Sequence, residues 1–225
     1  MAEELLRFEQ RLLERNELLA EQLRRSFREA GVLTVNLMSS PGAGKTTLLE
    51  VTLASLAAVP AAVVVGDLAT ENDAQRLRPH ARWVRQVTTG TVCHLEAAMV
   101  AAALEGKELR ELQYLFIENV GNLVCPASFD LGEEARVVLF AVTEGEDKPE
   151  KYPPIVHRAD LVLLTKSDLI PYLSFDLERF RTSVQRVNPR VPCLTLSART
   201  GEGIEAWVAW LRARRAMLVG EVPEY

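Results

Sequence analysis

Residues 39–50 of the chain read SSPGAGKTTLLE, and this stretch decides the fold class. Gly42 and Gly44 stand just before Lys45 and Thr46, and an apolar helical run follows at once. Glycines let successive backbone N–H groups point inward at phosphate oxygens, while the following helix presents its positive end. A lysine and a threonine at these places reach the terminal phosphates and a magnesium ion. We therefore predict a nucleotide phosphate-binding loop.

The predicted loop departs from the usual pattern at one place. That pattern, GxxxxGK[ST], begins with glycine, whereas this chain has Ser39 there. An ordinary glycine-rich turn is the alternative, but a strand before the loop and a helix after it favour phosphate binding. Ala43 and Thr47 lie inside the same stretch and are predicted to contact the nucleotide as well.

Strand-like runs on both sides of the loop indicate the fold. They alternate with helical stretches and are apolar along most of their length, which is typical of a buried parallel sheet. We predict an α/β fold, a mostly parallel sheet of about seven strands with helices on both faces. The predicted strands are LTVNLMSS (33–40), AAVVVGD (61–67), ARWVRQVTTG (81–90), LQYLFIENVG (112–121), RVVLFAVTEG (136–145), ADLVLLTKSD (159–168) and VPCLTLSA (191–198).

The chain divides into a helix and one domain. With 225 residues and 48% hydrophobic content, it is long enough for a single sizeable core, which we place in residues 31–225. Residues 1–30 are predicted to form an amphipathic helix that packs on the domain or on a partner. Its apolar stripe, which Asn16 interrupts, consists of Leu5, Phe8, Leu12, Leu19, Leu23 and Phe27.

Charge and composition narrow the partners and the compartment. The net charge of −5 offers no basic field for nucleic acid, and no apolar run approaches the roughly 20 residues that span a bilayer. The amino-terminal residues mix acids and bases, unlike a secretory signal. Three cysteines far apart form no disulfide framework and suit a reducing compartment. We therefore expect a cytoplasmic protein without nucleic-acid or membrane partners.

The stretch TKSD after the sixth predicted strand indicates which base is bound. It is similar to the guanine-recognition pattern [NT]KxD, in which Asp168 accepts two hydrogen bonds from the guanine edge and Lys166 lies along the base. Adenine cannot donate that pair, so we predict GTP and GDP as ligands, with Thr165 at the start of the motif. A supporting loop similar to SA[KR] would close the base pocket with Ser197, Ala198 and Arg199.

Acidic residues mark the phosphate end of the predicted site. FIENVGN is similar to a DxxG switch, with Glu118 as a magnesium ligand in place of aspartate and Gly121 as a sensor of the terminal phosphate. Asp67 is predicted in the magnesium sphere or on a bound water, and Asp73 on a mobile switch. Solvated loop acids are the alternative. Lys45, Thr46, Asp67 and Glu118 form the predicted catalytic set.

A second cluster of residues suits a transition metal. Cys93 and His94 are adjacent, and Cys125 follows the predicted switch. Thiolate and imidazole are ligands for nickel or zinc, and two adjacent residues cannot easily complete a tetrahedral site, so a third ligand from another loop helps. A buried cysteine with a capping histidine is the alternative. Cys193 is predicted to be a core residue.

At this point the chain resembles the HypB family, the nickel-insertion GTPases of hydrogenase maturation. The resemblance extends from Val32 to the last helix and implies a P-loop NTPase of the SIMIBI type. Ser40 stands where a related ATPase group carries a second lysine, which argues against that group. The segments that carry the resemblance are NLMSSPGAGKTTLLE, GDLATENDAQR, TTGTVCHLEA, IENVGNLVCPASFDLGE, TEGEDKPEKYP and TKSDL.

The resemblance implies a biological role and partners. It implies a GTP-hydrolysing metallochaperone with a homodimer in the GTP-bound state, a HypA-like nickel chaperone and the hydrogenase large subunit as partners. Lys148 is a candidate for reaching the nucleotide of the second copy. Three alternatives stay open: a urease-type nickel GTPase, a P-loop kinase for a small metabolite, and a metal sensor without catalytic activity.

Overall fold

The structure is a computed structural model that describes residues 2–221, with side chains from residue 10 onward. It contains seven strands: β1 Leu33–Ser39, β2 Ala61–Asp67, β3 Val84–Thr88, β4 Tyr114–Glu118, β5 Ala135–Ala141, β6 Leu161–Thr165 and β7 Cys193–Thr195. Its α-helices are α1 Ala2–Ala30, α2 Lys45–Ser55, α3 Asn72–Leu77, α4 Ala97–Ala103, α5 Lys148–Lys151, α6 Pro153–His157, α7 Leu177–Val187 and α8 Ile204–Val219.

All strand pairs in the described part of the chain are parallel, and the sheet order is β3-β2-β4-β1-β5-β6-β7. β1 lies at the centre, where Leu37 pairs with Glu118 of β4 and with Val137 of β5. Every residue of β1 is buried, because helices cover both faces. The predicted fold class is confirmed, and the loops after the strand ends lie at one edge of the sheet.

The two faces of the sheet bury separate apolar clusters. On one face, Leu33, Val35 and Leu37 pack with α2 and with Trp207 of α8. On the other face, α1 and α4 cover one half of the sheet and α6 and α7 cover the other. Alternating residues of β1 thus point to opposite faces, as the pleat of a strand requires.

α1 lies against the domain through its carboxyl-terminal half. Phe27 is buried against β2 and α4, while Leu12 is 46% exposed, so the predicted apolar stripe holds only in part. Asn16 is buried: its Nδ2 donates to the carbonyl of Asp130 at 2.7 Å, and its Oδ1 accepts from the N–H of Ala97 at 2.8 Å. Asn16, which interrupts the predicted stripe, therefore attaches α1 to the domain through hydrogen bonds.

Two residues of the predicted stripe, Leu5 and Phe8, lie outside the residues whose side chains the structure describes. None of the helices within residues 2–221 combines the length and the apolar character needed to cross a membrane.

Candidate functional site

The phosphate-binding loop connects the end of β1 to the start of α2. Gly42 and Gly44 have φ of 75° and 99°, a left-handed conformation that glycine adopts without strain. Lys45 Nζ donates to Ser39 Oγ at 3.2 Å, so the serine that replaces the usual glycine holds the lysine over the loop. Burial lowers the pKa of Lys45, which several surrounding carboxylates oppose. The loop thus combines left-handed glycines with a buried lysine, as a site for a negatively charged group requires.

A cavity of about 450 Å³ lies above the loop. Thr46 Oγ1 donates to Glu118 Oε1 at 2.7 Å, and Glu118 is 3% exposed. Burial raises the pKa of Glu118 to about 7, against the lowering effects of Lys45 and Thr46. Glu118 Oε2 has no hydrogen-bond partner in the described chain. The residues lining the cavity include Gly42, Gly44, Lys45, Thr46, Thr47, Asp67, Asp73, Arg76, Glu118, Gly121 and Lys166.

Asp67, the last residue of β2, and Asp73 of α3 both line this cavity. Asp67 Oδ1 accepts from the N–H groups of Ala69 and Thr70 at 2.9 and 2.8 Å. Burial acts to raise the pKa of Asp67, but these hydrogen bonds outweigh it, and the pKa lies below its ordinary value. Asp67 therefore enters the cavity as a carboxylate fixed by its own turn.

The sequence reasoning missed Arg76, which also lines the phosphate cavity. Its guanidinium donates to Thr47 Oγ1 at 3.1 Å and to Glu50 Oε1 at 3.1 Å, and lies 3.7 Å from Asp73 Oδ1. The available signal was its position three residues after Asp73, because that spacing places the two side chains on one face of a helix.

A second cavity, of about 280 Å³, shares lining residues with the first and is lined by the two stretches predicted to form the base pocket. Asp168 Oδ1 accepts from Ser197 Oγ at 2.6 Å, and Asp168 Oδ2 lies 3.7 Å from the guanidinium of Arg199. Lys166 has a φ of 60°, an uncommon conformation for a residue other than glycine. The pocket is lined by Ala43, Gly44, Thr47, Leu48, Thr165, Lys166, Asp168, Leu169, Leu196, Ser197, Ala198 and Arg199.

The base pocket is tied to the phosphate-binding loop by one hydroxyl. Thr165 Oγ1 donates to the carbonyl of Ala43 at 2.7 Å, which sets the distance between the end of β6 and the loop. A second residue missed from the sequence, Glu202, accepts from Ser167 Oγ at 2.9 Å and so joins the two base-pocket loops. Glu202 lies three residues after Arg199 of the SAR stretch, but its partner could be known only from the fold.

The structure brings Cys93, His94 and Cys125 together, with potential ligand atoms all within 4.8 Å of one another. The two Sγ atoms are 2.8 Å apart, and the interaction with Cys93 raises the pKa of Cys125. The His94 ring stacks on Phe129 with centroids 3.9 Å apart. Together these contacts place two thiols and an imidazole at one point.

The imidazole of His94 is available as a ligand. Burial lowers the pKa of His94, an effect that the nearby Glu96 carboxylate opposes. Neither ring nitrogen has a hydrogen-bond partner in the described chain, and Glu96 Oε1 is 3.8 Å from Nε2. A neutral imidazole is the form that binds a metal ion.

Two predicted residues lie away from these sites. Lys148 opens α5 and is absent from the described linings of both cavities. Its Nζ is 3.6 Å from Glu144 Oε1 and 5.3 Å from the centre of the Tyr152 ring. Cys193 packs against the core of the sheet, and burial raises its pKa to about 11.

The sequence matches the family described as CobW/HypB/UreG, nucleotide-binding domain, over residues 33–195. It is 50% identical to hydrogenase maturation factor HypB of Escherichia coli strain K12 over 91% of this chain and 71% of that protein. It is 41% identical to hydrogenase/urease maturation factor HypB of Helicobacter hepaticus, over 92% of this chain and 86% of that protein.

Among solved structures, the fold is similar to the crystal structure of HypB from Helicobacter pylori in complex with nickel. The two have a TM-score of 0.85 and 36% sequence identity, over 94% of this chain and 99% of that one.

Proposed function

Because the chain belongs to the HypB family of hydrogenase maturation factors, within the CobW/HypB/UreG nucleotide-binding proteins, we propose that it is a GTP-hydrolysing nickel chaperone. GTP and GDP are the proposed nucleotides, and Ni²⁺ is the proposed cargo. The solved HypB of Helicobacter pylori was crystallised with nickel, which supports the choice of cargo.

One observation carries this proposal: a phosphate cavity and a base pocket adjoin and share Gly44, Thr47 and Lys166. In the base pocket, Asp168 is held by Ser197, so a carboxylate faces the place of the base edge. A carboxylate accepts from the two donors of guanine, whereas adenine offers no such pair. The shape and the chemistry of the joined cavity thus favour a guanine nucleotide.

In the proposed reaction, water attacks the terminal phosphate of GTP and GDP leaves. Lys45 neutralises negative charge on the phosphate oxygens, and the N–H groups at the start of α2 bind them. We assign Gly121 as the sensor of the terminal phosphate, and its closeness to the phosphate-binding loop supports this: a Cβ added there would lie 2.9 Å from the Cα of Pro41. Only glycine allows this close approach of the two loops.

The residues around Glu118 fit a magnesium ion. Glu118 Oε2 is a buried carboxylate oxygen without a hydrogen-bond partner in the described chain, and Thr46 and Asp67 supply further oxygen atoms. A magnesium ion held by these residues would neutralise charge on the phosphates. Magnesium binding would also favour the ionised form of Glu118.

We assign the cargo site to Cys93, His94 and Cys125. Two thiols and a neutral imidazole suit nickel and also zinc, so zinc is the expected competitor. Three ligands leave the coordination of either metal incomplete. A two-fold homodimer formed in the GTP-bound state would bring two such sets together, and Lys148 is the candidate for contacting the nucleotide of the second copy.

The proposed partners follow from the family. The cargo would pass from or to a HypA-like nickel chaperone and on to the hydrogenase large subunit. Three cysteines that lie far apart in the sequence suit a reducing compartment, which supports the cytoplasm as the proposed location.

The test compares hydrolysis of GTP and ATP by the purified protein and titrates Ni²⁺ by thiolate-to-metal absorption. We expect strong preference for GTP, release of phosphate without an added acceptor, and nickel binding. Phosphate transfer from ATP to an added metabolite would indicate a P-loop kinase. Nickel binding without nucleotide turnover would indicate a metal sensor.

Urease maturation is the second candidate function, because the Helicobacter hepaticus relative is described as a hydrogenase/urease maturation factor. This chain has Cys93-His94 and a separate Cys125-Pro126. Urease GTPases typically carry one continuous Cys-Pro-His element instead. Hydrogenase maturation is therefore favoured. Expressing the chain in cells that lack either factor, and measuring both nickel enzymes, separates the two roles.

A further inference from the structure

Two asparagines flank Gly121, and both reach the loop that carries Cys93 and His94. Asn119 and Asn122 lie in the segment after β4, while the two metal ligands lie in the segment after β3. The two segments are side by side because β4 and β3 are both neighbours of β2 in the sheet. Neither asparagine is assigned a role in the proposed chemistry, although Asn119 lines the phosphate cavity and the side chain of Asn122 also forms a hydrogen bond with Cys125.

Asn119 joins the two segments through one oxygen atom. Its Oδ1 accepts from the N–H of Leu95 at 3.1 Å and from the N–H of Val120 at 3.0 Å. Its Nδ2 donates to Asn36 Oδ1 in β1 at 3.3 Å, and its own N–H donates to the carbonyl of Leu37 at 3.0 Å. Asn119 is 1% exposed, so these bonds are shielded from water.

Asn122 makes the second connection on the other side of Gly121. Its Nδ2 donates to the carbonyl of Cys93 at 3.3 Å, and its Oδ1 accepts from the N–H of Val124 at 2.9 Å. The backbone of Cys93 and that of Leu95, on either side of His94, are therefore both held by side chains of the segment that contains Gly121.

The same segment contacts the phosphate-binding loop. Gly121 lies so close to Pro41 that an added Cβ would be 2.9 Å from the proline Cα. Leu95 lies so close to Gly66 that an added Cβ would be 2.7 Å from its side chain. Packed groups at these distances cannot move independently, so a displacement of Gly121 must be accommodated by its neighbours.

We propose that Asn119 and Asn122 are positioning residues that couple the state of the nucleotide to the geometry of the Cys-His-Cys site. This inference rests on the proposed function, since it needs both GTP and nickel as ligands. The terminal phosphate acts on Gly121, and the two amide side chains transmit the resulting shift to the backbone on both sides of His94. Nickel binding acts on the phosphate cavity through the same bonds, because coupling between two ligands is reciprocal.

Hydrogen bonds are suited to this role because breaking them is costly in a buried segment. Leaving the N–H of Leu95 or of Val120 without a partner would cost the desolvation of a buried polar group. The segment with Cys93 and His94 therefore follows the asparagines instead of separating from them. Without the two amides, the contact between the Cys93 and Cys125 thiols would be the main polar connection left between the two segments.

The experiment measures the dissociation constant of Ni²⁺ with GDP and with a non-hydrolysable GTP analogue, in the parent protein, in Asn119→Ala and in Asn122→Ala. The quantity of interest is the ratio of the two constants. A matched control is Asn188→Ala, because Asn188 Nδ2 also donates to backbone carbonyls, at Val156 and His157, but in a part of the fold without site residues.

We expect a parent ratio that departs from one by about 5-fold or more, as is common for allosteric coupling. Both site variants should bring the ratio to within about 2-fold of one. Asn188→Ala should keep the parent ratio. A purely structural role of the asparagines would weaken nickel binding equally with both nucleotides and leave the ratio unchanged, and that result would overturn the inference.

Two further outcomes are decisive. Asn119 is buried, so if Asn119→Ala fails to fold, the half-buried Asn122 decides alone. If the parent protein hydrolyses GTP and binds nickel but shows a ratio of one, the coupling is absent. The inference then fails while the proposed function stands. Loss of either activity in the parent would instead overturn the proposed function itself.

Discussion

The proposed nucleotide cavity and the Cys-His-Cys site differ in how many of their polar side chains already have hydrogen-bond partners. In the nucleotide cavity most polar side chains already have partners: Ser197 donates to Asp168, Thr165 donates to the carbonyl of Ala43, and Lys45 donates to Ser39. At the metal site the imidazole of His94 has no hydrogen-bond partner in the described chain.

The difference shows how much of the geometry of each site is present before its ligand binds. Buried polar groups without partners are costly, so a cavity in which most of these groups are bonded keeps its shape before the nucleotide arrives. The metal site has few bonds of its own, and its geometry depends on the segments that carry it. We infer that the nucleotide cavity is formed in advance, whereas the metal site responds to its surroundings.

The largest expected effect lies in the preformed cavity, with Lys45→Ala. Removing the ammonium group should lower GTP hydrolysis by at least about 100-fold, because a preorganised charge next to the phosphate is lost. The fold should be retained, since the lysine faces the cavity. Phosphate release with saturating GTP measures the effect, and Lys151→Ala, at an exposed lysine of α5, is the control. Undiminished turnover would remove Lys45 from the mechanism.

Glu118 is the exception within the nucleotide cavity, because its Oε2 has no hydrogen-bond partner in the described chain. Its raised pKa predicts how the stability of the protein depends on pH. Its pKa in the folded protein is about 7, above the ordinary value of 4.5. Its contribution to stability is therefore present below about pH 4.5 and lost as pH rises through about 7. Glu118→Gln, which keeps a partner for Thr46, should abolish this dependence.

The measurement is chemical unfolding without ligands, at about pH 5 and about pH 8. Relative to Glu118→Gln, the parent protein should lose about 2 kcal/mol of unfolding free energy between these two values. Added magnesium and GDP should reduce the loss, because they stabilise the ionised carboxylate. Equal pH dependence of the two proteins would show that Glu118 is ionised in the folded state throughout.

The base pocket provides the next test of preformed geometry. Asp168→Asn should lower the preference for GTP over ATP by about 10- to 100-fold, because an amide places a donor opposite a donor of guanine and charged hydrogen bonds are strong. Competition binding with both nucleotides measures this change. Asp147→Asn is a control on the exposed loop before α5. Equal binding of ATP and GTP by the parent protein would contradict guanine recognition altogether.

The smallest effects are expected at the Cys-His-Cys site, with Cys93→Ala and Cys125→Ala. Each should weaken Ni²⁺ binding by at least about 10-fold, since even residues that only support a metal ligand have effects of that size. GTP hydrolysis without nickel should change little. Cys193→Ala is the matched control, because that thiol lies in the core. Unchanged nickel affinity in both variants would remove these cysteines from the site.

Local sequence determined the fold class and much of the nucleotide cavity. The strand residues are apolar in continuous runs, and each run in this chain forms a strand at nearly the predicted place. The loop that contains Lys45 and the stretch that contains Asp168 each carry their chemistry within a few neighbouring residues. Their position at the carboxyl ends of strands then brings them to one edge of the sheet.

Only the tertiary structure decided which distant residues meet. Asn16 is polar within an apolar stripe, yet it is buried because it satisfies backbone groups at Ala97 and Asp130. Arg76 enters the phosphate cavity because α3 packs beside α2. Asn119 reaches Leu95 because β4 is inserted between β2 and β1. Such partners depend on the strand order, and the spacing of residues along the chain carries no information about it.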